Sequence, residues 1–434
     1  MRSAVPKAAP QPAPMNVLLL CALPPVAAGT IRDHVHALTH FSRHQVNCFP
    51  HVGVVSNRLP QGIDLERFDA VVIHYSVYLL ADSYVGPGDR ARISAYRGVK
   101  LLFLQDEYRQ VDRVQAVIRE LGVDVLFTCL PKPEIEKVYP AAALPGLTKI
   151  SNLTGYVPKA LAAMPVPSID RRPIDVGYRA RIVPFWLGLL GAEKWQIAPR
   201  FLAAVEGSGL ACNISNREED RIYGEGWIRF VSSCKTMLGV ESGASVFDFD
   251  GTIQRTVHEY LARNPGASFE QVEDRFLRPH EGKIRLNQIS PRCFEATALR
   301  TTMVLFEGDY SGILEPWKHY IPLRKDFSNV TEVVNAIKNT PLLQEIADRA
   351  YREIALNPEH SYEAFVARFD AALSAAHALK GHSPRPPVSR AWFFITTLPA
   401  AVFPRLVRVW LMIPPAIRSR LKPLAGPLIS ALRR

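Results

Sequence analysis

NQISPRCFEATALRTTMVLFEGDYSGILEPWKHYIPL, Asn287–Leu323, changes structural character twice within one short stretch. Ser290 suits a helix N-cap and Pro291 its first turn, where proline's missing N–H costs nothing. Glu295 then falls near the start of that helix. The helix runs into MVLF, an apolar run of strand length, and the strand gives way to EGDYSG, a turn-rich loop. In an open parallel sheet, ligands gather beyond the carboxyl ends of the strands. A carboxylate at Glu295 can accept both hydroxyls of a ribose. The loop of Glu307, Gly308, Ser311 and Gly312 can bring its amides to phosphates. The same residues also read as a plain helix–strand–loop unit with Glu295 on the surface.

Outward from this stretch the alternation repeats. NVLLLCALPPVAAGTIRDHVHALTHF, Asn16–Phe41, reads as strand, loop and helix, and its strand is apolar throughout, as in a sheet covered on both faces. Strands are expected at Ala70–His74, Lys100–Gln105 and Val123–Thr128, and a helix near Asp112–Leu121. Residues 145–175 are rich in Pro, Asn, Gly and Ser and mark a boundary. A second series follows through IDVGYRARIVPF, LACNI, KTMLGV, ASVFDF and TTMVLFEG, closed by long helices over Val330–Ala350 and Ser361–Leu379. The expectation is an α/β chain of two facing Rossmann-like domains. They would occupy 15–160 and 176–380, joined by a linker at 161–175, with an extension at 1–14 and a basic apolar tail at 381–434.

Of 434 residues, 48% are hydrophobic and 21% charged, as in ordinary globular proteins. Six unclustered cysteines suggest neither a disulfide scaffold nor a zinc site. The net charge of +11 is concentrated in the tail: no acidic residue follows Asp370, while ten basic residues run from Lys380 to Arg434. The body is near neutral, which argues against a nucleic-acid partner. AWFFITTLPAAVFPRLVRVWLMIPP, from Ala391, is apolar but broken by Pro and Arg. Its longest clean section, Ala391–Pro404, is too short to span a bilayer as a helix, and the mixture of Trp, Phe and Arg suits an anionic membrane surface, or a segment packed across the domains. The first fourteen residues lack the apolar core of a signal peptide. The chain is expected in the cytoplasm, or peripherally on the inner face of the cell membrane.

The stretch from Asn287 resembles the donor-binding part of glycosyltransferases with the GT-B fold, especially bacterial cell-surface polysaccharide enzymes of the family 1 and family 4 kind. Their SPRCFEA-like helix is followed by an apolar strand and a Gly/Glu loop. The resemblance implies two facing domains and a nucleotide-sugar donor on the second. It implies that Glu295 is the second of two glutamates with seven residues between them and holds the ribose. The first would fall at Asn287, which is not a glutamate, so retention or inversion is left open. DVGYRARIVPFWLGLLGAEKW resembles the opening of the donor domain, with Arg179, Arg181 and Lys194 as diphosphate partners. LGVESGASVFDFDG is also typical, with Glu241 and Ser242 beside the donor. The acceptor would be a glycan or a lipid-linked sugar. Such enzymes usually need no metal or cofactor, and none is expected here.

The first domain supplies candidate bases for an acceptor hydroxyl: Asp106, Glu107 and His74, with His34 as a further choice. A retaining enzyme would need none. DFDGTI, Asp248–Ile253, also matches the first motif of haloacid dehalogenase-like phosphatases, with Asp248 as nucleophile and Asp250 as acid/base beside magnesium. The usual lysine and later acidic pair do not follow. A noncatalytic sugar-nucleotide binder is the other alternative. No GxGxxG, GxxxxGK[ST] or HExxH pattern is present, which argues against a nicotinamide dehydrogenase, a P-loop ATPase and a zinc hydrolase.

Overall fold

The computed structural model describes residues 13–23, 29–50 and 59–398. Most of the 1–14 extension and the tail from 399 onward lie outside the described residues. The first domain is a parallel sheet of β1 (Asn16–Leu20), β2 (Gln45–Phe49), β3 (Ala70–Ile73), β4 (Val99–Phe103), β5 (Val125–Thr128) and β6 (Thr148–Ser151), in the order β2-β1-β3-β4-β5-β6. Every residue of β1, β3, β4 and β5 is buried, as continuously apolar central strands require. The second sheet holds β7 (Ile174–Arg179), β8 (Cys212–Ser215), β9 (Cys234–Gly239), β10 (Thr302–Phe306) and β11 (Ile321–Leu323), in the order β11-β10-β9-β7-β8. Strand order reverses between β1 and β3 and again between β7 and β9. Each reversal leaves a crevice at the carboxyl ends. Two α/β domains thus face one another, as the resemblance implies.

Three expectations are corrected. ASVFDF forms no strand. Val246 and Phe247 are instead buried, and Phe247 joins Leu286 and Ile284 in the core of the first domain. The Asp248 amide donates to the Tyr108 carbonyl at 2.9 Å and the Val111 amide to the Asp248 carbonyl at 3.2 Å. Its apolar residues therefore serve to dock one domain on the other. The span Val330–Ala350 is two helices, Val330–Lys338 and Thr340–Ala350, because Asn339 caps the second by accepting from the Leu342 amide at 3.2 Å and Pro341 fills its first turn. The last long helix, Tyr362–Lys380, packs on the first domain, where Phe365, Phe369 and Leu373 share a core with Leu19, Phe103 and Phe127. The chain crosses back beside the outgoing linker, the Val157 amide donating to the His360 carbonyl at 2.9 Å.

The start of the tail is strapped under the first sheet. Asp69 accepts from the Asn16 and Arg385 amides at 2.7 and 2.9 Å, and the Asn16 carboxamide bonds the backbone of Arg385, Pro386 and Val388. Among the described residues no helix is long and apolar enough to cross a membrane.

Candidate functional site

Where the carboxyl ends of the two sheets meet lies a cavity of about 280 Å³. The first domain contributes Gln105, Asp106 and Tyr108, which follow β4, and Cys129, which follows β5. The second contributes Arg181 after β7, Lys194 from the helix Leu189–Ala204, Trp227 from Gly224–Ser232, Ser242 after β9, and Arg292 from Pro291–Ala298. The wall at Ser242 depends on its neighbour. Gly243 has φ +117°, and a Cβ there would stand 1.7 Å from the Leu286 carbonyl oxygen. Only glycine allows that approach. It lets Ser242 and Gln288 exchange backbone bonds at 2.7 and 2.8 Å.

The charge of the cavity is mostly positive. Burial lowers Lys194 to about 8; Asp106, across the cleft, opposes that shift, and Arg292 and Arg181 add to it. Arg292 lies over the Trp227 ring at 5.2 Å, and one of its guanidinium nitrogens donates to the Arg179 carbonyl. Burial, then the charge of Asp106, pushes the Tyr108 hydroxyl well above its ordinary range. Three cations therefore converge on the space from the second domain, against one carboxylate from the first. Such a wall suits a compact multiply charged anion, because guanidinium and ammonium donors bind phosphate oxygens through charge-assisted hydrogen bonds. Among the described residues there is no group of three or more His, Cys, Asp or Glu that could hold a metal ion.

Four residues expected from the sequence, Asp106, Arg181, Lys194 and Ser242, meet at this cavity. The others turn elsewhere. Arg179 spends its guanidinium on the carbonyls of Asp220, Tyr178 and Asn213 and on the Asn213 side chain, over the Phe230 ring. Glu241 is buried and accepts from the Asp309 and Tyr310 amides at 3.1 and 2.9 Å and from Asn287 Nδ2 at 2.7 Å. Those amides belong to the loop expected to meet phosphates, so the loop of Gly308, Ser311 and Gly312 is already closed on a side chain of the protein. Ser311 Oγ accepts from the Ile289 amide at 3.1 Å, and Glu307 lies 3.9 Å from Arg324 on the surface. Glu295 does not line the cavity. Its Oε2 accepts from the indole N–H of Trp227, which does, at 2.7 Å. Burial pushes that carboxyl up, against the indole bond and the charge of Arg292.

Two of the candidate bases are core groups. His74 is fully buried, its Nε2 3.0 Å from His34 Nδ1 and its Nδ1 2.9 Å from Ser76 Oγ. Glu107 accepts from the Thr128 hydroxyl and, at 2.7 Å, from the Cys129 amide, and burial raises it to about 7. Neither reaches the cavity. Asp248 is also fully buried, its carboxylate accepting the amides of Gly251, Ile253 and Gln254 at the start of the helix Thr252–Arg263. Asp250 accepts from the Thr252 amide at 2.8 Å. Both are helix-start groups, and a buried carboxylate with three amide partners is no phosphatase nucleophile.

Arg292, Trp227 and Tyr108 were not singled out from the sequence. Arg292 was the most legible of them. It lies three residues before Glu295 on the same short helix, so the reasoning that turned Glu295 toward the cleft applied to Arg292 as well.

No protein-family model and no curated protein matches the sequence. Among solved structures the chain resembles an α-glucosyltransferase in complex with UDP-glucose and DNA containing an abasic site, at 10% identity and a TM-score of 0.49, over 83% of this chain and 100% of that one. It also resembles T4 phage BGT with its UDP-glucose substrate, at 10% identity and a TM-score of 0.44, over 86% and 99%. A third is Anabaena HepE with UDP and glucose, at 11% identity and a TM-score of 0.41, over 83% and 100%.

Proposed function

We propose that this protein is a glycosyltransferase that takes its sugar from a nucleotide-sugar donor, with the donor diphosphate among Arg181, Lys194 and Arg292. The observation that carries this reading is the convergence of those three cations on a cavity at the carboxyl ends of the second sheet, faced by one exposed carboxylate, Asp106, from the first. When the bond from the sugar carbon to the phosphate oxygen breaks, the leaving nucleoside diphosphate gains negative charge, and fixed cations stabilise it most at that moment. A bond forms from the acceptor oxygen to the same carbon. In a single displacement Asp106 takes the proton of the acceptor hydroxyl. Trp227, held by Glu295, forms a wall of the donor site. Charge stabilisation in this reading comes from side chains, without a metal or cofactor.

The acceptor is read as a glycan or lipid-linked sugar in cell-surface polysaccharide synthesis, with the enzyme held peripherally at the cytoplasmic face of the membrane. This finer reading is supported by the resemblance of Asn287–Leu323 and by the basic tail. One observation favours a noncatalytic nucleotide-sugar binder: Asn287 stands where the family has a glutamate, and it is tied to Glu241.

A panel of UDP-, GDP-, ADP- and CMP-sugars, followed by ligand-observed NMR against wild type and Arg292→Ala, tests the donor site. Selective binding lost in the variant supports it. No binding by folded wild type overturns the reading. Binding without nucleotide release, across a panel of glycan and polyprenyl-phosphate-sugar acceptors, favours the noncatalytic alternative.

A further inference from the structure

The short helix at 390–398 has its polarity reversed relative to a helix packed on a soluble domain. Trp392, Phe393, Thr396 and Thr397 are half-buried, and Trp392 and Phe393 pack on the core of the first domain beside Phe68. The Arg67 guanidinium lies 4.5 Å from the centre of the Trp392 ring. The opposite face should then be polar. Instead it holds Ala391, Phe394, Ile395 and Leu398, with Phe394 63% and Ile395 67% exposed. Their spacing puts them on one stripe, one and two turns apart.

This stripe is held firmly. Gln45 Nε2 donates to the Val388 carbonyl at 2.6 Å, and the Val388 amide donates to Asn16 Oδ1 at 3.0 Å. Asn16 begins β1 and Phe68 precedes β3, so the helix sits at the amino ends of the first sheet, opposite the carboxyl ends that form the cavity. Lys380 and Arg385 are paired with Asp124 and Glu66. The sequence from Arg390 on is one-sided in charge: Arg390 and seven arginines and lysines from Arg405 to Arg434, with no acidic residue after Asp370.

We infer that the face formed by Ala391, Phe394, Ile395 and Leu398 is a docking surface for an anionic lipid bilayer, entered by the apolar side chains and attracted by the basic residues around and after it. The inference extends the proposed peripheral location by naming the residues and the edge of the domain that meet the lipid. Apolar area and basic charge together set the strength of such binding, and each alone gives weak attachment. An alternative occupant is the chain's own segment 399–434 folded back over the stripe. Its seven arginines and lysines, with no acidic residue among them, favour the anionic surface.

The test is sedimentation of the full chain with vesicles of phosphatidylglycerol and phosphatidylethanolamine, and with phosphatidylcholine alone. Wild type should bind the anionic vesicles and release as salt rises. The exposed triple variant F394S/I395S/L398S should bind them about tenfold or more weakly, with an unchanged melting temperature. Equal binding by the triple variant overturns the inference, leaving the charges alone responsible. Failure of wild type to bind also overturns it, as does stronger binding after truncation at residue 398, which would show the tail covering the stripe. Donor binding measured on the same samples separates this inference from the enzymatic reading. Lipid binding without any donor binding removes the latter and keeps the former, and the converse removes only the lipid surface.

Discussion

The two sheets share a strand order around their first strand, yet their carboxyl edges use polar residues in opposite ways. In the first domain the strand-end groups are largely turned inward. His74 after β3 bonds His34 beneath the helix Tyr362–Lys380, and Glu107 after β4 ties to Thr128 at the end of β5. Asp106 alone of the expected bases faces the cavity. In the second domain Arg179 and Glu241 are spent away from the cavity, but Arg181, Lys194 and Arg292 line the open space. At His34 the cover is the helix Tyr362–Lys380, which packs on a face of the first sheet and sets the Phe365 ring 4.3 Å from that imidazole. Glu107 is closed in by its own domain, through Thr128 and Cys129. A polar residue at a strand end is thus a ligand candidate only where no nearby donor or ring takes it up.

The largest effect should come from removing the one carboxylate that the first edge presents. Asp106→Asn is expected to slow transfer about 10²- to 10⁴-fold while donor affinity stays the same or rises, since a negative charge facing the diphosphate is gone. A kcat and donor Kd measured together check this. A fall in affinity with unchanged kcat would place Asp106 on the donor side and break the division of labour between the edges.

Next come the cations. Lys194→Ala or Arg292→Ala should weaken donor binding about tenfold to a hundredfold, the range for one hydrogen bond to a charged group. Arg179→Ala should leave donor affinity nearly unchanged and lower the melting temperature, because its guanidinium serves only the fold. Calorimetric titration with the donor and thermal melts of the same three variants distinguish the two classes.

The architecture was legible because its signals are periodic and long. Apolar β1, β3, β4 and β10, the break at 145–175 and the Ser-Pro helix start at Ser290 all follow from local pattern. β2, β6 and β11 escaped, being short edge strands with polar residues or only three residues long. ASVFDF carried a strand-like apolar pattern for another reason, since it packs one domain on the other. At the site, the sequence located Asp106, Arg181, Lys194 and Ser242 but could not tell that Glu241 and Glu295 point away. A side chain's direction at a strand end depends on which distant amide or indole meets it. For Glu241 those are Asp309 and Tyr310, and for Glu295 it is Trp227, sixty-eight residues away in both cases or nearly so.

The enclosed groups of the first edge also make it sensitive to acid. Burial lowers His34 to about 3 and holds His74 well below the ordinary histidine range. Both are neutral in the fold and take up protons when it unfolds below about pH 6.5. Their contribution is complete above that value and is lost as pH falls toward the folded values, by about 1.4 kcal/mol per pH unit for each histidine. Melting temperature should therefore drop between pH 6.5 and 5. His34→Phe, which keeps a ring against Phe365 and Phe103, should flatten that drop. An unchanged slope in the variant would show that His34 is not protonated on unfolding.

Glu107 acts in the opposite sense and more weakly. Its folded value, near 7, lies above the ordinary carboxyl value, so between about pH 4.5 and 7 the folded state holds the extra proton. Its contribution is present below the unfolded value and is lost as pH rises through about 7. Over the shared window it offsets one of the two histidines. Glu107→Gln keeps an oxygen for the Thr128 hydroxyl and the Cys129 amide but cannot titrate. The neutral amide matches the protonated carboxyl, so the variant should be close to wild type near pH 4.5 and progressively more stable than it as pH rises toward 7, by up to about 1.4 kcal/mol per unit, with donor affinity untouched at pH 7. Denaturant melts of the two proteins from pH 7 to 5 measure that divergence. Parallel curves would mean that the Glu107 carboxyl is ionised in the fold, and a loss of donor binding in the variant would place it at the cavity after all.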